Sequence, residues 1–368
     1  MPSSAAPARR PRLRGLDALR GLAALAVCLF HYTYSFPRVV GQPFDVGFVV
    51  SAGHYGVDLF FIISGFVIFM TLENSPRAYD FIGARVARIY PAFLVALLLT
   101  TTVVCLSALP VLRPSLPKFI ANLTMVPQIF GQDVVDGVYW TLAYEAGFYL
   151  FAATVIWRWG LDRVETLCLI WLPVTLLLRF EPFVIWHFPY VLHMIRLATT
   201  GSFAMLFIIG IMIYRICRGH ARPLTYVVFA AALGVAFAGP LTFVHPMSGT
   251  GYFLLIAACA TLVWLGGTDR LPLKLLAPLI FLGDISYSFY LLHESIGWVI
   301  MNRLLAWGVG PRLTLLLAFG FAVTLAFAAN RLVERPGQRV VRALFARYRE
   351  RIIGKTWPLV IDKPLAGD

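Results

Sequence analysis

Apolar runs about as long as a bilayer is thick recur from one end of this chain to the other. A helix rising 1.5 Å per residue needs about 20 apolar residues to cross a hydrocarbon core roughly 30 Å thick. Ten such runs stand out, at 16–36, 47–72, 89–109, 138–157, 164–181, 199–217, 224–243, 251–266, 283–304 and 313–333. The expected fold is all-α, a polytopic membrane bundle of about ten transmembrane helices. Composition agrees: 13% of residues are charged and 60% hydrophobic, where a soluble domain carries about 25% charge. The first run is too long and too polar to be a cleaved signal peptide, and no small-residue cleavage site follows it.

The net charge of +13 then reads as topology, and no nucleic-acid partner is expected. With the N-terminus inside, 24 of the 31 Lys and Arg fall in inside segments, alternating loop by loop. That is the positive-inside pattern, and it puts both termini in the cytoplasm. Residues 1–336 form the membrane domain and 337–368 a basic tail. In the tail Val340, Val341, Leu344, Phe345 and Tyr348 share one helical face among arginines, as in a helix lying on the inner leaflet. The outside loop 110–137 is Pro-rich and carries the glycosylation sequon Asn122-Leu123-Thr124. The five cysteines fall in apolar runs without paired spacing and read as small buried hydrophobes, neither disulfides nor metal ligands.

Ionisable groups inside a bilayer cost a few kcal/mol each and so mark candidate sites. In the first run Arg20 and His31 are eleven residues apart, just over three turns, which puts them on one face about 16 Å apart along the axis. The arginine suits an anion such as a phosphate at the inner surface. The imidazole suits a base that takes a proton from a hydroxyl arriving from the other side. A histidine used for packing between helices is the plainer alternative, and Cys28 is a weaker nucleophile candidate.

Further polar residues extend this set. Asp58 lies one turn inside the second run and can orient a neighbouring donor, whereas His54 reads as a surface residue at the outer interface. Ser64 and Gly65 allow another helix close. Arg85 and Arg88 sit at the inner mouth of the third helix, able to join Arg20 around phosphates or simply to anchor the span. Trp140 suits the outer interface. Glu145 lies deeper in the fourth helix, placed to bind substrate hydroxyls, to orient His31 or to pair with an arginine. The ninth run is the most polar, with Ser286, Tyr287 and His293 expected to line the cavity beside Asp284, Ser288, Tyr290 and Glu294. Glu334 is expected to pair with arginines at the inner surface.

Six stretches taken in order, "RGLDALRGLAAL…FH", "GVDLFFIISGF", "RVARIYP", "WTLAYEAGFYL", "ISYSFYLLH" and "ERP", resemble the acyltransferase-3 family of integral-membrane O-acyltransferases. They run from residue 14 to 336. One position departs: the family commonly has a second acidic residue after the Glu145 position, and here it is Ala146. The resemblance implies transfer of an acyl group, often acetyl, from a cytoplasmic acyl-CoA to a hydroxyl of a sugar, glycan or glycolipid across the membrane. Arg20 and His31 would be the essential pair, Arg85 and Arg88 would help hold the donor, and Glu145 would lie in the site. Acyl-CoA is then a co-substrate and no further cofactor is expected. The extracytoplasmic esterase-like domain that some relatives carry is expected to be missing. A transporter or flippase for a lipid-linked glycan would line its path with the same residues, but the internal repeat of many transporters is not evident. A purely structural subunit is disfavoured by the density of intramembrane charge.

Overall fold

The computed structural model describes residues 13–75, 78–156, 159–177, 200–240 and 247–348. Among them the regular structure is helical throughout, and each of the ten predicted segments holds a helix. The ends of the fifth and seventh runs, the start of the sixth, Arg9, Arg10, Arg12, Arg77, Arg158, Arg179, Arg196 and the tail from residue 349 lie outside the described residues. The helices are α1 (Arg14–Val40), α2 (Ser51–Glu73), α3 (Ala78–Cys105), α4 (Trp140–Phe151), α5 (Val164–Leu177), α6 (Ala204–Cys217), α7 (Pro223–Val235) and α8 (Gly249–Gly267). They are followed by α9 (Ala277–Asp284), α10 (Ser286–Leu292), α11 (Glu294–Ala306) and α12 (Pro311–Tyr348). Among the described residues, α1, α2, α3, α8 and α12 are long and apolar enough to cross a membrane.

Three departures from the expected segments matter. The helix α3 begins at Ala78, so Arg85 and Arg88 lie within it and not at its mouth. The ninth run is broken at Ile285 and His293 into α9, α10 and α11. The tail does not start a separate element at residue 337: α12 continues through a π-helical turn at Asn330–Glu334 into Arg335–Tyr348. At 1.5 Å per residue this helix is about 57 Å long, well beyond a bilayer core. Its extension rests on α3, where Gly337 faces Pro91 and Phe345 meets Gly83 and the Tyr79 ring, 5.4 Å between centroids. Val340, Leu344 and Tyr348 stay exposed, so the apolar face predicted for the tail divides between α3 and the outside.

Small residues set the helix spacing. A Cβ on Gly21 would strike the Leu279 carbonyl and one on Gly283 the Asp17 carbonyl, so α1 and α9 touch backbone to backbone. Gly65 meets Phe207 and Gly210 in the same way, which joins α2 to α6 as its small residues suggest. Where lipid tails are as apolar as leucine, such close packing supplies the attraction that hydrophobicity cannot. Cys28, Cys168 and Cys259 are buried as expected, whereas Cys105 at the end of α3 is exposed; all five are free thiols. Asn122 of the sequon is also buried. Its amide donates to the Lys118 and Asp133 carbonyls at 2.8 and 2.9 Å, and its Oδ1 accepts from Val135 N–H at 3.0 Å. It ties the loop down instead of presenting a glycan.

Candidate functional site: two cavities meeting at Val57 and Tyr290

His31 sits where α1 changes its winding. Residues His31–Ser35 form a π-turn in which Phe36 N–H reaches back to the His31 carbonyl. Pro37 explains it. The proline ring would clash with the carbonyl four residues back, at Thr33, and the wider turn relieves that. π-turns inside α-helices recur at functional sites. The His31 carbonyl also accepts from Trp298 Nε1 at 3.1 Å, and Tyr32 Oη donates to the His293 carbonyl at 2.8 Å. Both bonds pin α1 to α11 at the level of the imidazole.

The tautomer of His31 follows from its neighbours. Nδ1 of the fully buried His293 faces the carbonyls of Phe289 and Tyr290 at 3.1 and 3.0 Å. Carbonyls only accept, so this nitrogen carries the proton. Nε2 of His293 is then an acceptor, and it lies 2.9 Å from His31 Nδ1. His31 therefore donates from Nδ1 and keeps its lone pair on Nε2. That Nε2 points at Glu294, with 3.7 Å to Oε1. Glu294 lies beside Asp136, which accepts from Val138 N–H and Ser295 N–H, both at 3.2 Å. Two carboxyl groups side by side share a proton, and the single negative charge of the Asp136–Glu294 pair can steady the imidazolium that forms when Nε2 takes a proton.

Nine of the ten predicted residues line two cavities; His293, expected in the wall, lines neither and stands behind His31. One cavity gathers Arg20, Arg85, Arg88, Glu145, Ser286 and Tyr287. The other is lined by His31, Asp58 and Trp140, with His54 also in its wall. Val57 and Tyr290 line both. Arg20 is held by Asp17 at 3.4 Å. Arg85 donates to Thr71 Oγ1 at 3.0 Å and lies over the Phe81 and Tyr149 rings. Tyr287 Oη donates to the Ile89 carbonyl at 2.9 Å, which fixes α10 against α3. Three guanidinium groups facing one cavity make a site for an anion with several charges.

Several expectations need correction. Glu145 does not orient His31. It stands in the arginine cavity and accepts from Tyr149 Oη at 2.5 Å; Glu294 holds the place beside the imidazole. His54 is not a surface residue: it is buried, with Nδ1 bonded to the Ser51 carbonyl at 2.8 Å, because Gly53 brings this turn onto the backbone of Ala26 in α1. Trp140 is half-buried and packs on Phe61 and Phe203. Asp58 accepts from Tyr252 Oη at 3.1 Å. Glu334 accepts from Ser288 Oγ at 2.7 Å and Asn330 Nδ2 at 2.9 Å instead of pairing with arginines. The sequence reading missed Asp136, and named Glu294 only among the polar residues of its run. The visible signal was an acidic residue next to a histidine in an apolar run.

The comparisons bear on the same residues. The Acyltransferase domain model of the acyltransferase-3 family matches residues 13–331. The exopolysaccharide production protein ExoZ of Rhizobium meliloti is 30% identical over 312 residues, covering 79% of this chain and 91% of that protein. The acyltransferase MdmB of Streptomyces mycarofaciens is 26% identical over 321 residues, 78% of this chain and 79% of that one. The O-acetyltransferase OatA of Staphylococcus aureus is 28% identical over 161 residues, 39% of this chain and 24% of OatA. No solved structure matches. A match that takes in both cavities, from the arginine of the first helix to the histidine pair, establishes that the chain belongs to the acyltransferase-3 family.

Proposed function

We propose that this chain is a membrane O-acyltransferase that moves an acyl group, acetyl by preference, from acyl-CoA to a hydroxyl of a glycan or glycolipid. The observation that carries the reading is the pairing of an arginine-lined cavity with a second cavity holding a histidine whose free lone pair is fixed by its neighbours. Names among the relatives fit it: an exopolysaccharide production protein, an acyltransferase and an O-acetyltransferase. We place the chain in the cell inner membrane with ten spans, both termini and the arginine cavity facing the cytoplasm, where acyl-CoA is made.

In this reading the CoA phosphates dock on Arg20, Arg85 and Arg88. Ser286 and Tyr287 line the path of the arm, and Glu145 with Tyr149 shapes its wall. Asp58 and Trp140 line the acceptor side. His31 Nε2 removes the proton of the acceptor hydroxyl as its oxygen attacks the thioester carbon. The carbon–sulfur bond breaks, the ester forms, and the proton passes from the imidazolium to the departing CoA thiolate. His293 keeps His31 in the competent tautomer, and Glu294 supports the transient positive charge. A positioned base is typically worth 10²–10⁴-fold in rate.

The test is mass spectrometry of surface glycans from cells with the gene, without it, and with His31→Ala. Loss of one acyl mass in both the deletion and the variant supports the reading. An unchanged acyl mass in the deletion, or full acylation by His31→Ala, refutes it. A flippase would move glycan without acyl-CoA, so acyl loss in the deletion together with unchanged glycan export favours the transferase.

A further inference from the structure

We infer that Val57 and Tyr290 form the partition at which the acyl group sits, and that they set the chain length the enzyme accepts; this rests on the acyltransferase reading above. These two side chains line both cavities. The helices that carry them pass from one cavity to the other in the same order. Along α2, Val57 and Asp58 face the histidine cavity, and Phe60, Phe61 and Ser64 the arginine cavity. At the start of α4, Val138 and Trp140 line the first and Thr141 and Leu142 the second.

Tyr290 is held rigidly in this wall. Thr141 Oγ1 donates its one proton to the Val138 carbonyl at 3.1 Å. The 3.0 Å bond between Thr141 Oγ1 and Tyr290 Oη is therefore donated by the tyrosine. The ring is further packed edge-on against Phe60, 5.7 Å between centroids. Behind it stands His293, ring centroids 5.9 Å away, the residue that orients His31.

The thioester carbon must meet the acceptor oxygen within reach of His31 Nε2, while the CoA sulfur leaves toward the arginines. The carbon–sulfur bond that breaks thus lies across the partition, and the acyl tail lies against Val57 and the Tyr290 ring. Val57 is half-buried, and Tyr290 is buried and tethered at its tip, so a longer tail must displace a held side chain. The substrate class that fits is a short-chain acyl-CoA of two carbons.

The test measures free thiol release by membrane vesicles carrying the full-length chain, with acetyl-CoA or propanoyl-CoA. Surface polysaccharide from a strain lacking the gene serves as acceptor. One methylene in an apolar pocket is worth about 10–200-fold in kcat/KM, so the wild type should favour acetyl-CoA by about tenfold or more. Val57→Ala should cut that preference about tenfold, Val57→Ile should sharpen it, and Tyr290→Phe, which frees the ring from Thr141, should weaken it. The inference is overturned if the wild type uses both donors equally, or if the preference stays the same in Val57→Ala, Val57→Ile and Tyr290→Phe while thiol is still released. Should Val57→Ala be recovered unfolded, Val57→Ile and Tyr290→Phe decide. No thiol from either donor with the wild type would refute the acyltransferase reading itself, and the partition would fall with it.

Discussion

Replacing His293 by alanine should cripple the chemistry while sparing donor binding. The imidazole of His293 is the acceptor for His31 Nδ1–H at 2.9 Å. Without it, that N–H is left without its partner beside a fully buried position. An unmet buried donor costs about 1–3 kcal/mol, and at 1.36 kcal/mol per tenfold this is a loss of about 5- to 150-fold in the population of the productive tautomer. If the ring also turns, the loss approaches the 10²–10⁴-fold value of the base itself. Because His293 does not line the arginine cavity, KM for acyl-CoA should stay within about twofold of the wild type. His293→Gln supplies an amide oxygen near the lost Nε2 and should recover part of kcat. The bond from Tyr32 Oη goes to the backbone carbonyl of residue 293 and survives both changes, so helix register is kept. Steady-state kinetics in detergent, with melting temperature as the check on folding, decides the matter. A kcat for His293→Ala within threefold of wild type, or a loss lying wholly in KM, would refute the tautomer argument.

Three further outcomes follow from the same geometry. Arg85→Ala and Arg88→Ala should each raise KM for acetyl-CoA by about tenfold or more, since a bond to a charged group is worth about 1.5–3 kcal/mol; kcat at saturation should change little, and isothermal titration with CoA alone should show the same weakening. Gly21→Val should lower the yield of folded protein sharply, because its side chain meets the Leu279 backbone and overpacking costs about 1–3 kcal/mol; size-exclusion chromatography in detergent reads this, and a monodisperse peak at wild-type yield would contradict it. Asn122→Ala removes three hydrogen bonds that hold the 118–135 loop and should lower the melting temperature by several degrees, with cleavage of the loop by protease as a second readout.

The all-helical class was legible from the apolar runs, and five of the described helices are long and apolar enough to cross a membrane, because such a helix is specified by its own residues. The small-residue contact at Gly65 was read from local pattern alone, whereas the start of the third helix at Ala78 was missed because its first turns are polar. What the pattern could not carry was pairing across the chain. Asp136 lies 159 positions before Ser295, whose N–H it accepts, and nothing in either stretch announces that meeting. Without it, orienting His31 was one of the roles open to Glu145, although the fold puts Glu145 in the arginine cavity. His54 was misjudged for a similar reason: its position near the end of a run suggested exposure, but Gly53 lets the turn sink onto α1. The π-turn at His31 depends on Pro37 acting several residues downstream, a local effect that a count of apolar residues does not register.

The proposed docking of CoA phosphates in the arginine cavity, apart from the histidine cavity, is most directly tested by a cryo-EM structure of the full-length chain with a non-hydrolysable thioether analogue of acetyl-CoA. The account predicts the phosphates at Arg20, Arg85 and Arg88, and the acetyl end between Val57 and Tyr290 with its carbonyl turned toward His31. Analogue bound with its phosphates outside the arginine cavity, or with its acetyl end away from the partition, would contradict it.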